Sequence, residues 1–217
     1  MLLTAACCSQ DCPAATTSAP LTAEKRLLEE MAATTTNTTR LFQLADVCHD
    51  AGAGGDKKAV ERADAYLRQL LALEPSNAPA VALLGSIYTM KGRDAFWPNV
   101  QLRLVHEGNT FMDQAVRLDP ESHRVRLIRA FNNVHMPDFL GRAESVRADL
   151  AWLAEKSGKD PGRFSIGERQ ELALHLGRQF KHQHRNDEAR RTWVAGRDLA
   201  PGSHFATEID SELTKLH

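Results

Sequence analysis

Apolar residues recur along this chain at three- and four-residue spacings, in runs punctuated by glycine and proline. Such spacing puts side chains on one face of an α-helix. Leu41, Leu44, Ala45 and Cys48 form the first clear stripe, with Asn37 placed to cap it and Ala51-Gly52-Ala53-Gly54-Gly55 to stop it. Asp56 opens a second helix, which carries Ala63 and Leu67 and ends at Glu74-Pro75. Val81, Leu84, Gly85 and Tyr88 mark a third, opening at Ser76-Asn77. Pro98 suits the first turn of a helix, so Asn99 to Leu118 reads as an unusually long fourth. Leu127, Ala130, Phe131 and Val134 give a fifth, ended by Met136-Pro137, and Ala143, Val146, Leu150 and Leu153 a sixth. Lys156 to Ser165 reads as a loop. Ser165 and Glu168 then form a capping box for the helix that follows. Upstream, residues 22–34 read as a leading helix capped by Thr22, preceded by a flexible leader over residues 1–21. Strand-like alternation is scarce. The pattern predicts an all-α fold.

Between Gln170 and Ser203 the pattern tightens. Ala173-x2-Leu176-Gly177-x2-Phe180 is followed by Ala189-x3-Trp193 and then Pro201. This resembles the tetratricopeptide (TPR) repeat, W-x2-L-G-x2-Y…A-x3-F…P over about 34 residues, with Ala173 in place of the leading Trp. The spacing has a physical cause. Small Gly177 and Ala189 let two helices approach closely, and Phe180 and Trp193 fill the space beside them. Val81-x2-Leu84-Gly85-x2-Tyr88 is a second close match, but its other half, Gly108-x3-Met112 and Pro120, arrives late because of the insertion at residues 91–98. Residues 123–157 give a fair third repeat and residues 40–75 a degenerate first one. The chain is also similar, in this insertion and in the Met136–Arg142 turn, to a group of bacterial TPR-type proteins. The resemblance implies a short α-solenoid of helix-turn-helix repeats (about 40–75, 76–122, 123–157 and 170–203) with a capping helix over 204–217.

Composition adds little to that picture. Hydrophobic residues make up 42% and charged residues 25% of 217 positions, with a formal net charge of -1. These values suit a soluble domain and argue against a general nucleic-acid binder. Cys7, Cys8 and Cys12 crowd the amino terminus and only Cys48 lies beyond it, so no disulfide framework supports the core. Leu2-Leu3-Thr4-Ala5-Ala6-Cys7 is similar to the end of a bacterial lipoprotein signal, in which Cys7 would be lipidated. It lacks the basic region and the longer apolar core that such signals need. A disordered leader, or a soft-metal or redox site built from the three thiols, are the alternatives.

In TPR arrays the first helix of each repeat lines a concave groove that takes peptides, and the resemblance implies the same here. The groove-facing stripes would be Ala82, Ser86, Thr89 and Met90; then Val125, Ile128, Asn132, His135 and Met136; then Glu171, Leu174, Arg178, Lys181 and His182. Arg178 and Lys181 would make the carboxy-terminal half of the groove basic, suited to an acidic segment or a terminal carboxylate. The chaperone-type carboxylate clamp is excluded, since Ile128 stands where Lys is needed and His175 where a second Asn is needed. Arg126, Arg129 and Asn133 form a further stripe, expected to pair with Asp119, Glu121 or Asp138. His182 and His184 fall on different faces beside Lys181 and Arg185, a poor metal arrangement. Phe96 and Trp97 are either a plug under the long helix, the favoured reading, or an exposed docking anchor; Phe139 is expected to be buried. No nucleophile elbow, P-loop, HExxH or dinucleotide fingerprint occurs. The sequence therefore predicts a non-catalytic binding scaffold without a cofactor. Its partner would be a protein or peptide, with no nucleic acid and no transmembrane span. The location would be cytoplasmic, or the cell envelope if Cys7 is lipidated.

Overall fold

The computed structural model describes residues 37–216. The leader, the leading helix over 22–34 and Cys7, Cys8 and Cys12 lie outside the described residues. Within them the chain forms nine α-helices: α1 (Thr38–Ala53), α2 (Lys57–Leu73), α3 (Ala78–Asp94), α4 (Pro98–Leu118), α5 (His123–Asn133), α6 (Ala143–Lys159), α7 (Ile166–His182), α8 (Asn186–Leu199) and α9 (His204–Thr214). Short 3-10 turns, Asp138–Leu140 and Pro161–Arg163, flank α6. Among the described residues no helix is long and apolar enough to cross a membrane.

The helix starts follow local chemistry. Asn37, Asp56, Asn77, Ser122, Ser165 and Ser203 each place a side-chain oxygen on an otherwise unpaired amide of the first turn, the usual N-cap arrangement. At Ser165 the capping box is complete, with Glu168 accepting from the Ser165 amide at 2.7 Å. Two boundaries differ from expectation. α1 continues to Ala53, because Gly52 packs against Val60 rather than breaking the helix. α6 continues to Lys159, so the connection to α7 is shorter than residues 156–165.

The helices pack as four antiparallel pairs, α1/α2, α3/α4, α5/α6 and α7/α8, with α9 laid against both α7 and α8. α3 also meets α1 and α5, and its buried residues occur all round its circumference. The core is distributed along the array. One cluster joins Leu44-flanking residues of α1 to α2 and α3, another joins α5, α6 and α7, and a third gathers Leu174, Ala189, Trp193, Ile209 and Leu216 under α9. Such a chain of local cores is what a repeat array requires.

Glycines set the closest contacts. A Cβ at Gly85 would sit 2.6 Å from the Gly108 carbonyl oxygen, and one at Gly108 would sit 2.5 Å from the Gly85 oxygen. The crossing of α3 and α4 is therefore a glycine-on-glycine contact. The insertion lengthens α4 to 21 residues without disturbing that contact.

Candidate functional site

α1, α3, α5 and α7 each give a face to one recess, which α9 closes at the far end. Its volume is about 660 Å³. A second recess of about 430 Å³ adjoins it and shares Ala53, Met90, Phe131 and Asn132.

The floor of the main recess is partly polar and tied across three repeats. Asn132 Nδ2 donates to Ser86 Oγ and to Thr89 Oγ1, both at 2.9 Å. Thr89 Oγ1 in turn donates to the Ser86 carbonyl at 2.7 Å. His49 Nε2 lies 2.8 Å from Ser86 Oγ, which links α1 to α3. Asn132 Oδ1 has no hydrogen-bond partner among the described residues. Met90, Ile128, Phe131 and Phe205 supply the apolar part of the lining.

The charge of the recess is acidic. Among the described residues, Asp46, Asp50, Glu168 and Glu171 line it against a single guanidinium, Arg124, which is ion-paired to Asp46. Glu168 is engaged in its capping box. Glu171 lies 3.9 Å from His175 Nε2, and Asp50 lies 3.4 Å from His49 Nδ1 with a largely exposed side chain.

The residues expected in the groove divide into three groups. Ser86, Met90, Ile128, Asn132 and Glu171 line the main recess, and Thr89, His135 and Met136 line the second one. Ala82, Val125 and Leu174 instead turn inward and are fully buried. Leu174 packs with Trp193 and Ile209, because α7 is covered by α8 and α9 on that side. The basic stripe faces carboxylates. Arg178 donates to Glu212 at 3.0 Å and to Glu208 at 3.1 Å, and Lys181 Nζ is 3.6 Å from Glu212. His182 is exposed at the end of α7 and lines neither recess.

Other expectations are corrected here. Phe96 and Trp97 stack edge-to-face on one another at 83% and 64% exposure, so they are not a plug. Phe139 is 75% exposed rather than buried. Arg126 and Arg129 pair with Asp149 at 2.7–2.8 Å, and Arg129 with Asp113 at 3.0 Å, not with Asp119, Glu121 or Asp138. Asn133 is buried, and among the described residues neither side-chain amide atom has a partner. The sequence reading missed Asp46, His49, Asp50, His204 and Phe205, which belong to the least regular repeat and to the cap.

His135 sits beside His175, ring centroids 5.4 Å apart. Its residue is exposed overall, and partial desolvation of the ring holds its pKa below the ordinary histidine value; His175 and Arg178 push the same way, against Glu208 and Glu171. Among the described residues no three His, Cys, Asp or Glu side chains gather closely enough to hold a metal ion.

Compared with known proteins, no family model matches the chain and no curated protein does. Solved structures do. A thermophilic TPR protein of Thermus thermophilus superposes with a TM-score of 0.69 at 17% identity, covering 90% of this chain and 91% of that one. The fold is that of a tetratricopeptide-repeat solenoid. Two monomeric IFIT1 mutants, solved with m7Gppp-AAAA and with Gppp-AAAA, each give a TM-score of 0.58 at 17% identity. They cover 89% of this chain but 41% of IFIT1. At these identities the likeness is one of fold alone, a TPR-type array of helical repeats.

Proposed function

We propose that this TPR-type chain is a non-catalytic scaffold that holds a segment of a partner protein in its concave recess. One observation carries the reading: inner helices from all four repeats, together with α9, converge on a single recess of about 660 Å³. That volume lies within the roughly 300–1,000 Å³ typical of ligand sites, which combine an apolar lining with a few placed polar groups. The polar floor is cross-braced by Asn132, Ser86 and His49, so the recess is held in shape before a partner arrives. Preorganisation of this kind lowers the ordering cost of binding. The capped RNA in the IFIT1 structures suggests a nucleic-acid ligand as the competing reading. The carboxylates that line this recess oppose a polyphosphate, and protein is the better fit.

Photo-crosslinking tests the reading. A benzoylphenylalanine replacing Ile128 in the recess is compared with one replacing Arg147, exposed on the outer helix α6. In extract of the source cell the first should give a discrete protein adduct that the second does not. Equal adducts from both positions, or an adduct only from position 147, would remove the groove as the binding face.

A further inference from the structure

Resting on that reading, we infer that the partner segment is cationic and amphipathic, with Arg or Lys heads beside a row of apolar side chains. Asp50 and Glu171 receive the heads, and Met90, Ile128, Phe131 and Phe205 receive the apolar row. The observation behind this is a charge balance. Four carboxylates and one guanidinium line the recess, and that guanidinium, Arg124, is already paired with Asp46.

Cations elsewhere on the inner helices do not restore neutrality. Arg178 and Lys181 are held by Glu208 and Glu212 of α9. Arg93, at the edge of the second recess, pairs with Asp94 and donates to the Gly52 carbonyl at 3.1 Å. Each of these is answered within the fold. Of the four carboxylates, Asp46 is answered by Arg124 and Glu168 by its own helix cap. Among the described residues, the only charged-group contacts of Asp50 and Glu171 are histidine nitrogens, at 3.4 and 3.9 Å. Neither contact is a guanidinium or an ammonium group, so an acidic segment entering here would meet repulsion that no lysine or arginine offsets. Like charges brought together on binding exclude wrong partners, and complementary charges fix register and speed association.

The apolar lining adds the second requirement. Met90 lies on α3 and Ile128 and Phe131 on α5, the two middle inner helices, while the acids come from α1 and α7 and Phe205 from α9. An apolar strip between two acidic walls is the complement of a helix or extended segment whose apolar row is flanked by basic positions. A hydrophilic polycation would satisfy the walls and leave the strip uncovered.

Fluorescence polarisation with labelled peptides tests this, using an amphipathic Lys/Leu peptide, its Glu/Leu counterpart and a scrambled Lys/Leu peptide without an apolar row. The Lys/Leu peptide should bind at least about tenfold more tightly than either comparison peptide. Because partly exposed ion pairs contribute modestly, the variant Asp50→Asn/Glu171→Gln should weaken it about three- to tenfold, and added salt should do the same. Glu144→Gln/Glu155→Gln, on the outer helix α6, should leave it unchanged. Tighter binding of the Glu/Leu peptide, lost in Ile128→Ser, would overturn the cationic inference while leaving the groove reading intact. Lys/Leu binding that responds equally to both pairs of substitutions would overturn it as well, as general surface attraction. Binding of any peptide that ignores Ile128→Ser and Phe131→Ser would instead count against the groove itself.

Discussion

The indole of Trp193 lies directly over Gly177, and its Nε1–H donates to the Leu174 carbonyl at 3.0 Å. A Cβ at position 177 would fall 2.1 Å from Nε1. The ring is fully buried and rigid, so Gly177→Ala must push α7 and α8 apart. Overpacking of this kind costs about 1–3 kcal/mol, and a contact this short belongs at the upper end. A fall in Tm of roughly 5–10 °C is expected for a chain of this size. The double variant Gly177→Ala/Trp193→Phe should lose less than the sum of the single losses, since the phenyl ring is smaller. Strict additivity in thermal melts would contradict the contact.

Asp149 is fully buried on α6 and holds two guanidiniums of α5, Arg126 and Arg129. Removing the carboxylate in Asp149→Ala leaves Arg126 without an acidic partner and Arg129 with Asp113 alone, both with little solvent. Breaking a buried pair from one side costs about 3–5 kcal/mol, and denaturant midpoints should fall accordingly. The exposed pair Lys159–Glu155 gives the contrast: Glu155→Gln should leave the midpoint where it is. Similar effects from the two substitutions would show that the network is not the brace between α5 and α6.

His135 makes part of the stability depend on pH. Partial desolvation of its ring, which stays open to solvent, with His175 and Arg178 acting in the same direction, favours the neutral form in the folded chain, so its folded pKa lies below the unfolded value of about 6.5. Over that window the unfolded chain binds more protons than the folded one. The stabilisation is therefore complete above about pH 6.5 and is lost as pH falls through the folded pKa. His135→Gln should show a smaller loss over the same range than the wild type, measured by urea denaturation. An identical pH slope, or a histidine resonance titrating above the ordinary value, would refute the assignment.

Phe96 and Trp97 lean on each other at the elbow between α3 and α4 and are open to solvent. Phe96→Ser/Trp97→Ser should therefore shift Tm by no more than about 2 °C, as for other surface changes. A loss well beyond that would mean the pair supports the long helix after all.

Much of the architecture was legible because it is written at short range. The spacing of Leu176, Gly177 and Phe180 against Ala189 and Trp193 encodes a close helix crossing, Pro98 marks the start of α4, and Ser165 with Glu168 fixes the start of α7. The site was less legible, because its determinants are pairs far apart in sequence. Arg178 meets Glu212 across 34 positions, and Asp46 meets Arg124 across 78. No local pattern announces such partners, so Arg178 and Lys181 read as open anchors. Leu174 was assigned to the groove for a related reason. Inner helices of a repeat array are covered on several sides, as the all-round burial of α3 illustrates. Their apolar residues then give no single stripe from which to choose the open face.

Amide hydrogen exchange on the chain with its crosslinked partner segment tests the concave-face proposal most directly. Protection should rise on α3, α5 and the start of α9, around Ser86, Ile128, Asn132 and Phe205, and stay unchanged on α2, α4 and α6. New protection concentrated on the outer helices, or on residues 94–98, would contradict it.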